Sequence, residues 1–184
     1  MVYYENITIL NFSGRNSGNC AKIADHIEVH CPGTFVRKYT IDQQISPCNG
    51  CDYECLRPGV KCPNTSEYQE LIMQAILHSD LVYMILPNYC GFPCANFLAF
   101  NERSVGFFNL DRALMQKYMS VKKRFIIVSN TENEVFQKAM EQQTKDAPEV
   151  LYLKTSKYGK HSITGDLMDS AEAVADLDGF LIKE

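Results

Sequence analysis

The sequence predicts an α/β fold in which a parallel β-sheet lies between two layers of helices. Short apolar runs of strand length alternate along the chain with segments in which apolar residues recur every three or four positions. The central run, residues 81–86, is apolar throughout, which is typical of a strand covered on both faces. Strands and helices that alternate in this way form right-handed βαβ units. No internal repeat or linker interrupts the 184 residues, so we expect a single domain over residues 1–184.

Five short runs predict the strands of this sheet. The first is apolar with β-branched members and leads directly into a polar, glycine-containing turn. The third is expected to end at Pro87, since proline cannot donate to a sheet ladder. The predicted strands are residues 7–12, 34–41, 81–86, 124–129 and 150–153.

Apolar residues at helical spacing predict five helices. The first helix face begins at Cys20 and is stopped by the Pro-Gly pair at 32–33. Ser66 and Gln69 form a capping box that marks the start of the second helix. Gly179 is the expected terminator of the last one. The predicted helices cover residues 20–31, 66–76, 95–107, 135–140 and 166–177.

Composition and charge argue against several functional classes. The chain has 18 basic and 22 acidic side chains, a formal charge of -4 and no basic stripe, which argues against nucleic-acid binding. No apolar run approaches the roughly 20 residues that span a bilayer, and residues 1–6 lack the features of a secretory signal. We therefore expect a cytoplasmic protein with no membrane partner.

The polar turn at 13–19 is the first candidate binding site. It supplies hydroxyls, an amide and a guanidinium at the start of a helix, where free N–H groups and the helix dipole favour an anion. Ligands of open parallel sheets bind beyond the carboxyl ends of the strands. The turn is neither G-x-G-x-x-G nor a lysine-bearing phosphate loop, so a single terminal phosphate fits better than a pyrophosphate or triphosphate. Plain capping of the helix is the alternative.

Two segments carry a resemblance to the NADPH-dependent FMN reductase family. The turn looks like that family's phosphate loop, G-S-x-R-x-x-G-N-[ST], with Phe12 at the first glycine and Cys20 at the final hydroxyl residue. Residues 87–103 are similar to the family stretch P-x-Y-x-x-x-x-S-x-x-x-K-x-[FL]-x-D-R, with Leu98 at the lysine and Glu102 at the aspartate position. The resemblance extends in order and spacing over the whole chain.

The resemblance implies a flavodoxin-like three-layer sandwich with a five-stranded parallel sheet of order 2-1-3-4-5. It implies FMN as cofactor, NADH or NADPH as co-substrate, and a quinone, a flavin or another small molecule as electron acceptor, in a homodimer or homotetramer. No catalytic side chain is expected, because hydride passes between stacked rings. The alternatives are an iron-sulfur flavoprotein that carries electrons to a protein partner such as ferredoxin, and a flavin-free binding domain on the same fold.

The loops after the third and fourth strands suit the flavin ring. Tyr89 offers an aromatic face and Gly91 allows close approach of the backbone, although both could simply pack a strand-to-helix connection. Asn130 could bond the ribityl chain or the pyrimidine edge, or cap the next helix. The predicted cofactor contacts are Ser13, Arg15, Ser17, Gly18, Asn19, Cys20, Pro87, Asn88, Tyr89, Cys90, Gly91 and Asn130.

A loop at about 42–65 carries four of the eight cysteines in the pattern C-x2-C-x3-C-x6-C. Four thiolates can hold a [4Fe-4S] cluster or tetrahedral zinc. Iron-sulfur flavoproteins resemble this arrangement, and a cluster here would pass single electrons between a flavin and an external partner. Thiols without metal, reduced or paired as disulfides, are the other alternative. The candidate metal ligands are Cys48, Cys51, Cys55 and Cys62.

Two further features leave alternatives open. Cys90 and Cys94 lie four residues apart beside the proposed ring loop and could form a redox pair, or could be buried, inert thiols. Residues 158–161 precede the last helix on the binding side of the sheet. They could contact a nicotinamide cofactor or a neighbouring subunit, or form a plain loop.

Overall fold

A computed structural model describes residues 4–31, 33–42, 44–130 and 134–182. Five parallel strands form the sheet in the order β2-β1-β3-β5-β6, and the short strand β4 pairs antiparallel with the end of β3. The strands are β1 (Tyr4–Asn11), β2 (Gly33–Thr40), β3 (Leu81–Tyr89), β4 (Phe92–Pro93), β5 (Lys122–Ser129) and β6 (Glu149–Lys154).

Helices cover both faces of the sheet, which gives three layers. One apolar core lies between the sheet and α1 and α6, and the other lies between the sheet and α2 to α5. No helix in the described part of the chain is long and apolar enough to cross a membrane. The helices are α1 (Asn19–His30), α2 (Glu67–Leu77), α3 (Ala95–Phe108), α4 (Arg112–Ser120), α5 (Glu134–Glu141) and α6 (Ala171–Leu181).

Strand β3 shows why an uninterrupted apolar run was needed at the centre. Successive side chains of a strand point to opposite faces of the sheet. Val82, Met84 and Leu86 accordingly enter the core with α2 to α5, whereas Tyr83 and Ile85 enter the core with α1 and α6. The prediction of a strand covered on both faces is confirmed.

The structure corrects the expected sheet of five strands in the order 2-1-3-4-5. It contains a sixth strand, so the order along the parallel path is 2-1-3-5-6. The extra strand, β4, has only two residues, which is too short to leave a periodic signal. Pro87 does not end β3, which pairs with β5 through this residue and continues to Tyr89.

Two helices also differ from expectation. Helix α4 was not predicted, because Tyr118 is its single buried residue and the apolar periodicity is correspondingly weak. Gly179 does not end α6, since the apolar face of this helix continues to Phe180 and Leu181, both buried. Ser170 caps the start of α6 by accepting from the backbone N–H of Ala173 at 3.4 Å.

The predicted capping box of α2 is half formed. Ser66 Oγ accepts from the backbone N–H of Gln69 at 3.4 Å, as expected. The Gln69 side chain does not reach back to Ser66. It donates to the carbonyl of Phe100 at 3.2 Å and so ties α2 to α3.

Lys123 on β5 is a buried lysine with only 2% of its surface exposed. Its Nζ donates to the carbonyls of Tyr118 and Val121 at the end of α4, and lies 4.2 Å from the centre of the Tyr118 ring. Burial lowers the pKa of Lys123 to about 7 because the charged form loses hydration.

We expect the free energy of unfolding to rise with pH above about 7 because of Lys123. An unfolded lysine titrates near pH 10.4, so between these values unfolding takes up a proton. The rise is at most about 1.4 kcal/mol per pH unit. Urea unfolding of the parent protein and of Lys123→Met at pH 7, 8 and 9 measures it. If the free energy of unfolding changes with pH equally in the two proteins, Lys123 stays charged in the folded state.

Candidate functional site

A cleft of about 230 Å³ opens at the carboxyl ends of β1, β3 and β5. We call it the carboxyl-edge cleft. It contains ten of the twelve predicted cofactor contacts; Ser17 and Gly91 are not among its lining residues. Three lining residues were not predicted, namely Val128, Ser162 and Ile163. The ten predicted residues that meet there are Ser13, Arg15, Gly18, Asn19, Cys20, Pro87, Asn88, Tyr89, Cys90 and Asn130.

The turn after β1 is held by its own hydrogen bonds. The N–H of Ser13 donates to Asn11 Oδ1 at 2.9 Å, and the N–H of Arg15 donates to Ser13 Oγ at 3.3 Å. The N–H of Gly18 then donates to the carbonyl of Arg15 at 3.2 Å. These bonds fix the backbone at the entrance to α1.

The start of α1 offers free donors to the cleft. Its capping residue is Gly18, which has no side chain to accept from the first turn. Within the described residues, no acceptor meets the N–H groups of Asn19, Cys20 and Ala21. Helix N-terminal amides that lack an intramolecular acceptor attract an anion. This feature fits the terminal phosphate of FMN.

A segment near the end of the chain, residues 160–167, packs against the turn. Arg15 Nη2 donates to the carbonyl of Ile163 at 2.9 Å, and Asn19 Nδ2 donates to the carbonyl of Ser162 at 3.1 Å. Asn19 Oδ1 also accepts from the N–H of Leu167 at 3.0 Å. The Asn19 side chain thus holds this segment against the start of α1.

Gly165 gives the closest approach of this segment to the turn. Its φ is +76°, and a Cβ there would lie 3.0 Å from the carbonyl oxygen of Ser17. A glycine with positive φ is the sequence signal that could have pointed to this contact. None of residues 158–161, which the sequence suggested as contacts, lines the cleft. The two residues that follow them, Ser162 and Ile163, line it instead.

Asn130 joins the loop after β5 to the same segment. Its Oδ1 accepts from the hydroxyl of Thr155 and, at 3.3 Å, from the N–H of Ser162. From the sequence, Asn130 was considered as a contact of the flavin or as the cap of the next helix. The hydrogen bonds to Thr155 and Ser162 belong to neither role. Asn130 thus connects the loop after β5 to the segment that packs against the turn.

The hairpin between β3 and β4 also lines the cleft. Cys90 and Gly91 have positive φ, 52° and 88°, as tight two-residue hairpins require. Asn88 holds the hairpin, since its Oδ1 accepts from the N–H of Gly91 and its Nδ2 donates to Ser129 Oγ, both at 2.8 Å. The ring of Tyr89 is 58% exposed and is therefore available to a flat ligand.

Two neighbouring thiols are buried, Cys20, which lines the cleft, and Cys94. Burial and the neighbouring Cys94 raise the pKa of Cys20 to about 12, and burial also raises the pKa of Cys94, whose Sγ donates to the carbonyl of Phe12 at 3.4 Å. Both thiols are protonated at neutral pH. Cys94 thus has the properties of an inert, buried thiol, whereas Cys90 is exposed.

The departures from the family pattern do not fill the cleft. Phe12 lies in the core, where its ring makes edge contacts with Phe97 and Phe100 at 5.2 and 5.7 Å between centroids. Leu98 lines a different cavity, of about 650 Å³, between α3 and residues 45–47. Of these three residues only Cys20 lines the cleft, and its protonated thiol adds no negative charge there.

The four predicted metal ligands are not brought together. Across the described part of the chain, which includes all four, no group of three or more His, Cys, Asp or Glu side chains is arranged to hold a metal ion. Cys48 is exposed and the other three are partly buried. The thiols therefore do not fit a [4Fe-4S] cluster or zinc in this arrangement. The four are Cys48, Cys51, Cys55 and Cys62.

No family model and no curated protein matches the sequence. Solved structures do match. The Trp repressor binding protein from Bacillus subtilis is 16% identical with a TM-score of 0.64, and the match covers 95% of this chain and 99% of that one. The flavoenzyme NAD(P)H:(acceptor) oxidoreductase FerB from Paracoccus denitrificans is 12% identical, with a TM-score of 0.55 and coverages of 97% and 95%.

A third similar structure is an NADH:FMN oxidoreductase in its apo form, 13% identical with a TM-score of 0.50 and coverages of 97% and 89%. At these identities the similarity shows the fold. The chain has the flavodoxin-like α/β fold shared by these flavin-dependent oxidoreductases and the Trp repressor binding protein.

Proposed function

We propose that the protein is an FMN-dependent oxidoreductase that transfers electrons from NADH or NADPH to a quinone, a flavin or another small acceptor. One observation carries the proposal. The carboxyl-edge cleft joins a helix N-terminus with free amides to an exposed aromatic ring, Tyr89. These are the contrasting surfaces that a phosphate and a flat ring require. FerB and the NADH:FMN oxidoreductase, which share the fold, are named for the same chemistry.

The phosphate would lie at the start of α1. The N–H groups of Asn19, Cys20 and Ala21 would donate to its oxygens, and the helix dipole would favour its negative charge. Arg15 is exposed and uses Nη2 on the carbonyl of Ile163. A guanidinium carries five N–H donors, so Arg15 can bond the phosphate and Ile163 together.

The ring would lie against the hairpin between β3 and β4. Tyr89 would provide the aromatic surface, and the backbone of Cys90 and Gly91 would face the polar edge of the ring. Bound FMN would supply the hydride acceptor and pass the electrons onward. The cleft is smaller than the roughly 300–1,000 Å³ of enclosing ligand pockets. One face of the ring would remain accessible to the nicotinamide and to the acceptor.

A homodimer or homotetramer is part of this proposal. Large apolar side chains are exposed along α3 and α4, as expected of a surface that another subunit covers. They are Leu98, Val105 and Met115.

Titration with FMN and with riboflavin, which lacks the phosphate, tests the proposal. We expect saturable quenching of FMN fluorescence and oxidation of NADH or NADPH by the loaded protein with a quinone acceptor. Arg15→Ala should raise the dissociation constant for FMN by about 10–100-fold, because hydrogen bonds to charged groups contribute about 1.5–3 kcal/mol. Riboflavin binding should change much less.

Arg37→Ala is the matched control, since Arg37 is an exposed arginine on β2 that does not line the cleft. It should bind FMN as the parent does. If FMN does not bind, or if Arg15→Ala weakens FMN and riboflavin equally, the phosphate site is misassigned. A flavin-free binding domain would then be the better interpretation of the fold.

A further inference from the structure

The loop that carries the four cysteines is attached to α3 by side chains. Glu102 Oε2 accepts from the N–H of Cys48 at 2.9 Å, and Asn109 Nδ2 donates to the carbonyl of Val60 at 2.9 Å. Both ends of the cysteine motif are thereby positioned without a metal. The loop has a defined arrangement against the helix, so the surroundings of each thiol can be compared.

Cys55 and Cys62 meet at one point of α3, Gly106. A Cβ at Gly106 would lie 2.8 Å from the Cβ of Cys62 and 3.8 Å from the Cβ of Cys55. The two cysteine Cβ atoms are therefore no more than about 6.6 Å apart, the sum of those distances. A disulfide needs about 3.5–4.5 Å between Cβ atoms, so an approach of at most about 2 Å would bring this pair within that range.

The loop has open space beside it at Gly59. Gly59, between the two cysteines, has a φ of +76° and no atom within 4 Å of the position of a Cβ. On the helix side, Arg103 is buried and its Nη1 lies 4.0 Å from the sulfur of Cys62, at the outer limit of a hydrogen bond to sulfur. Cys62 is thus held against α3 beside Arg103 and Gly106.

The other two cysteines have different neighbours. The Glu54 carboxylate, hydrogen-bonded to the thiol, raises the pKa of Cys51. A carboxylate beside a thiol disfavours the thiolate that a metal would need. Cys48 is exposed, and its backbone N–H bonds Glu102. Cys55 and Cys62 therefore form a close pair, and among the described residues no third side chain joins them in an arrangement that could hold a metal.

We infer that Cys55 and Cys62 form a reversible disulfide by exchange with small-molecule disulfides of the glutathione type. In the first step a thiolate of the pair attacks the small disulfide, forms a mixed disulfide and releases one small thiol. In the second step the other cysteine, as its thiolate, attacks the protein sulfur of the mixed disulfide and releases the second small thiol. The pair loses two electrons and two protons, and the small disulfide is reduced to two thiols. The inference is independent of flavin binding.

Mass spectrometry of the full chain tests this assignment. The reduced protein is incubated with oxidised glutathione, blocked with iodoacetamide and digested with trypsin. Cleavage after Lys61 separates Cys55 from Cys62, so their disulfide joins the peptides 39–61 and 62–103, which separate on reduction. Because these peptides also contain Cys48, Cys51, Cys90 and Cys94, fragment sequencing of the joined peptides identifies the two linked residues. We expect this linkage to dominate, with Cys48 and Cys51 alkylated or carrying single glutathione adducts.

Cys51→Ser is the matched control and should form the linkage at the parent rate. Cys55→Ser should lose it and leave Cys62 with one glutathione. Gly106→Ala should slow the linkage severalfold, because the new methyl group would displace Cys62. Circular dichroism checks that each variant is folded.

Three results would overturn the inference. The first is a dominant disulfide between any other pair, and the second is loss of the Cys55–Cys62 linkage in Cys51→Ser. The third is retention of a full [4Fe-4S] complement after anaerobic incubation with ferrous iron and sulfide, dependent on all four cysteines. We expect no iron to remain after desalting.

Discussion

Replacing Phe12 with alanine is expected to lower the free energy of unfolding by about 3–5 kcal/mol, the usual cost of truncating a buried aromatic side chain. Phe12 is fully buried and contacts the rings of Phe97 and Phe100. Phe12 occupies the first glycine position of the phosphate-loop pattern of the FMN reductase family. Its place in that pattern would suggest that it contributes to phosphate binding. The structure assigns Phe12 a packing role, so the affinity of the folded variant for FMN should be close to that of the parent.

Urea unfolding and FMN titration of the same samples separate the two effects. Phe35→Ala is the control, since Phe35 on β2 is 56% exposed and its truncation should change stability by no more than about 0.5 kcal/mol. A large loss of FMN affinity in folded Phe12→Ala would mean that the position shapes the cleft. A loss of stability below about 1 kcal/mol would mean that the aromatic cluster packs loosely.

The three-layer arrangement of sheet and helices and the polar turn after β1 could be predicted from the sequence. Both depend on patterns among residues that are close together in the chain. The apolar run of β3 and the helical spacing that follows Cys20 are readable without tertiary information. A polar turn between a strand and a helix also places its N–H groups at the carboxyl edge of the sheet. Ten predicted residues accordingly meet in one cleft, and their role in binding FMN stays a prediction.

The segment at 160–167 could not be predicted because its contacts join distant parts of the chain. Arg15 and Ile163 are 148 positions apart, and Asn19 and Ser162 are 143 apart. No periodic pattern encodes such a pairing. Asn19 shows the consequence, since its motif position suggests a phosphate ligand whereas its side chain bonds this segment.

The cysteine loop shows the same limit for a motif. The spacing of the four cysteines within fifteen residues would allow their thiolates to meet. Which of them lie close together depends on the contacts of the loop with α3. Glu102, which bonds the N–H of Cys48, lies 54 positions further along the chain. Gly106 supplies the space that Cys62 occupies beside Cys55. Neither contact is visible in the C-x2-C-x3-C-x6-C pattern itself.

The second large effect is expected at Arg124, which joins β5 to β6 and α6. The side chain is fully buried. Its Nε donates to Glu149 Oε2 at 2.7 Å, and its Nη1 donates to the carbonyls of Phe180 and Leu181 at 3.3 and 3.1 Å. Arg124→Met would remove a donor from both carbonyls and one of the two cations that contact Glu149. Removing one partner of a buried ion pair costs about 3–5 kcal/mol, and we expect about 3 because Glu149 keeps some exposure.

Lys122→Met is the matched control, because Lys122 contacts the other oxygen of Glu149 at 3.0 Å from a more exposed position. Exposed pairs contribute about 0–1 kcal/mol, so Lys122→Met should be much the milder change in urea unfolding at pH 7. If the two variants lose similar amounts of unfolding free energy, Arg124 does not have the larger role in joining β5 to β6 and α6.

The pH dependence gives an independent check on Arg124. Burial alone would raise the pKa of Glu149, but its bonds to Lys122 and Arg124 outweigh this and lower it. The resulting stability is present above the unfolded value of about 4.3 and is lost as the pH falls through the lower folded value. The difference in stability between the parent and Arg124→Met should therefore narrow below about pH 4. A difference that stays constant into acid would mean that Arg124 acts through packing and the carbonyls of α6, and not through Glu149.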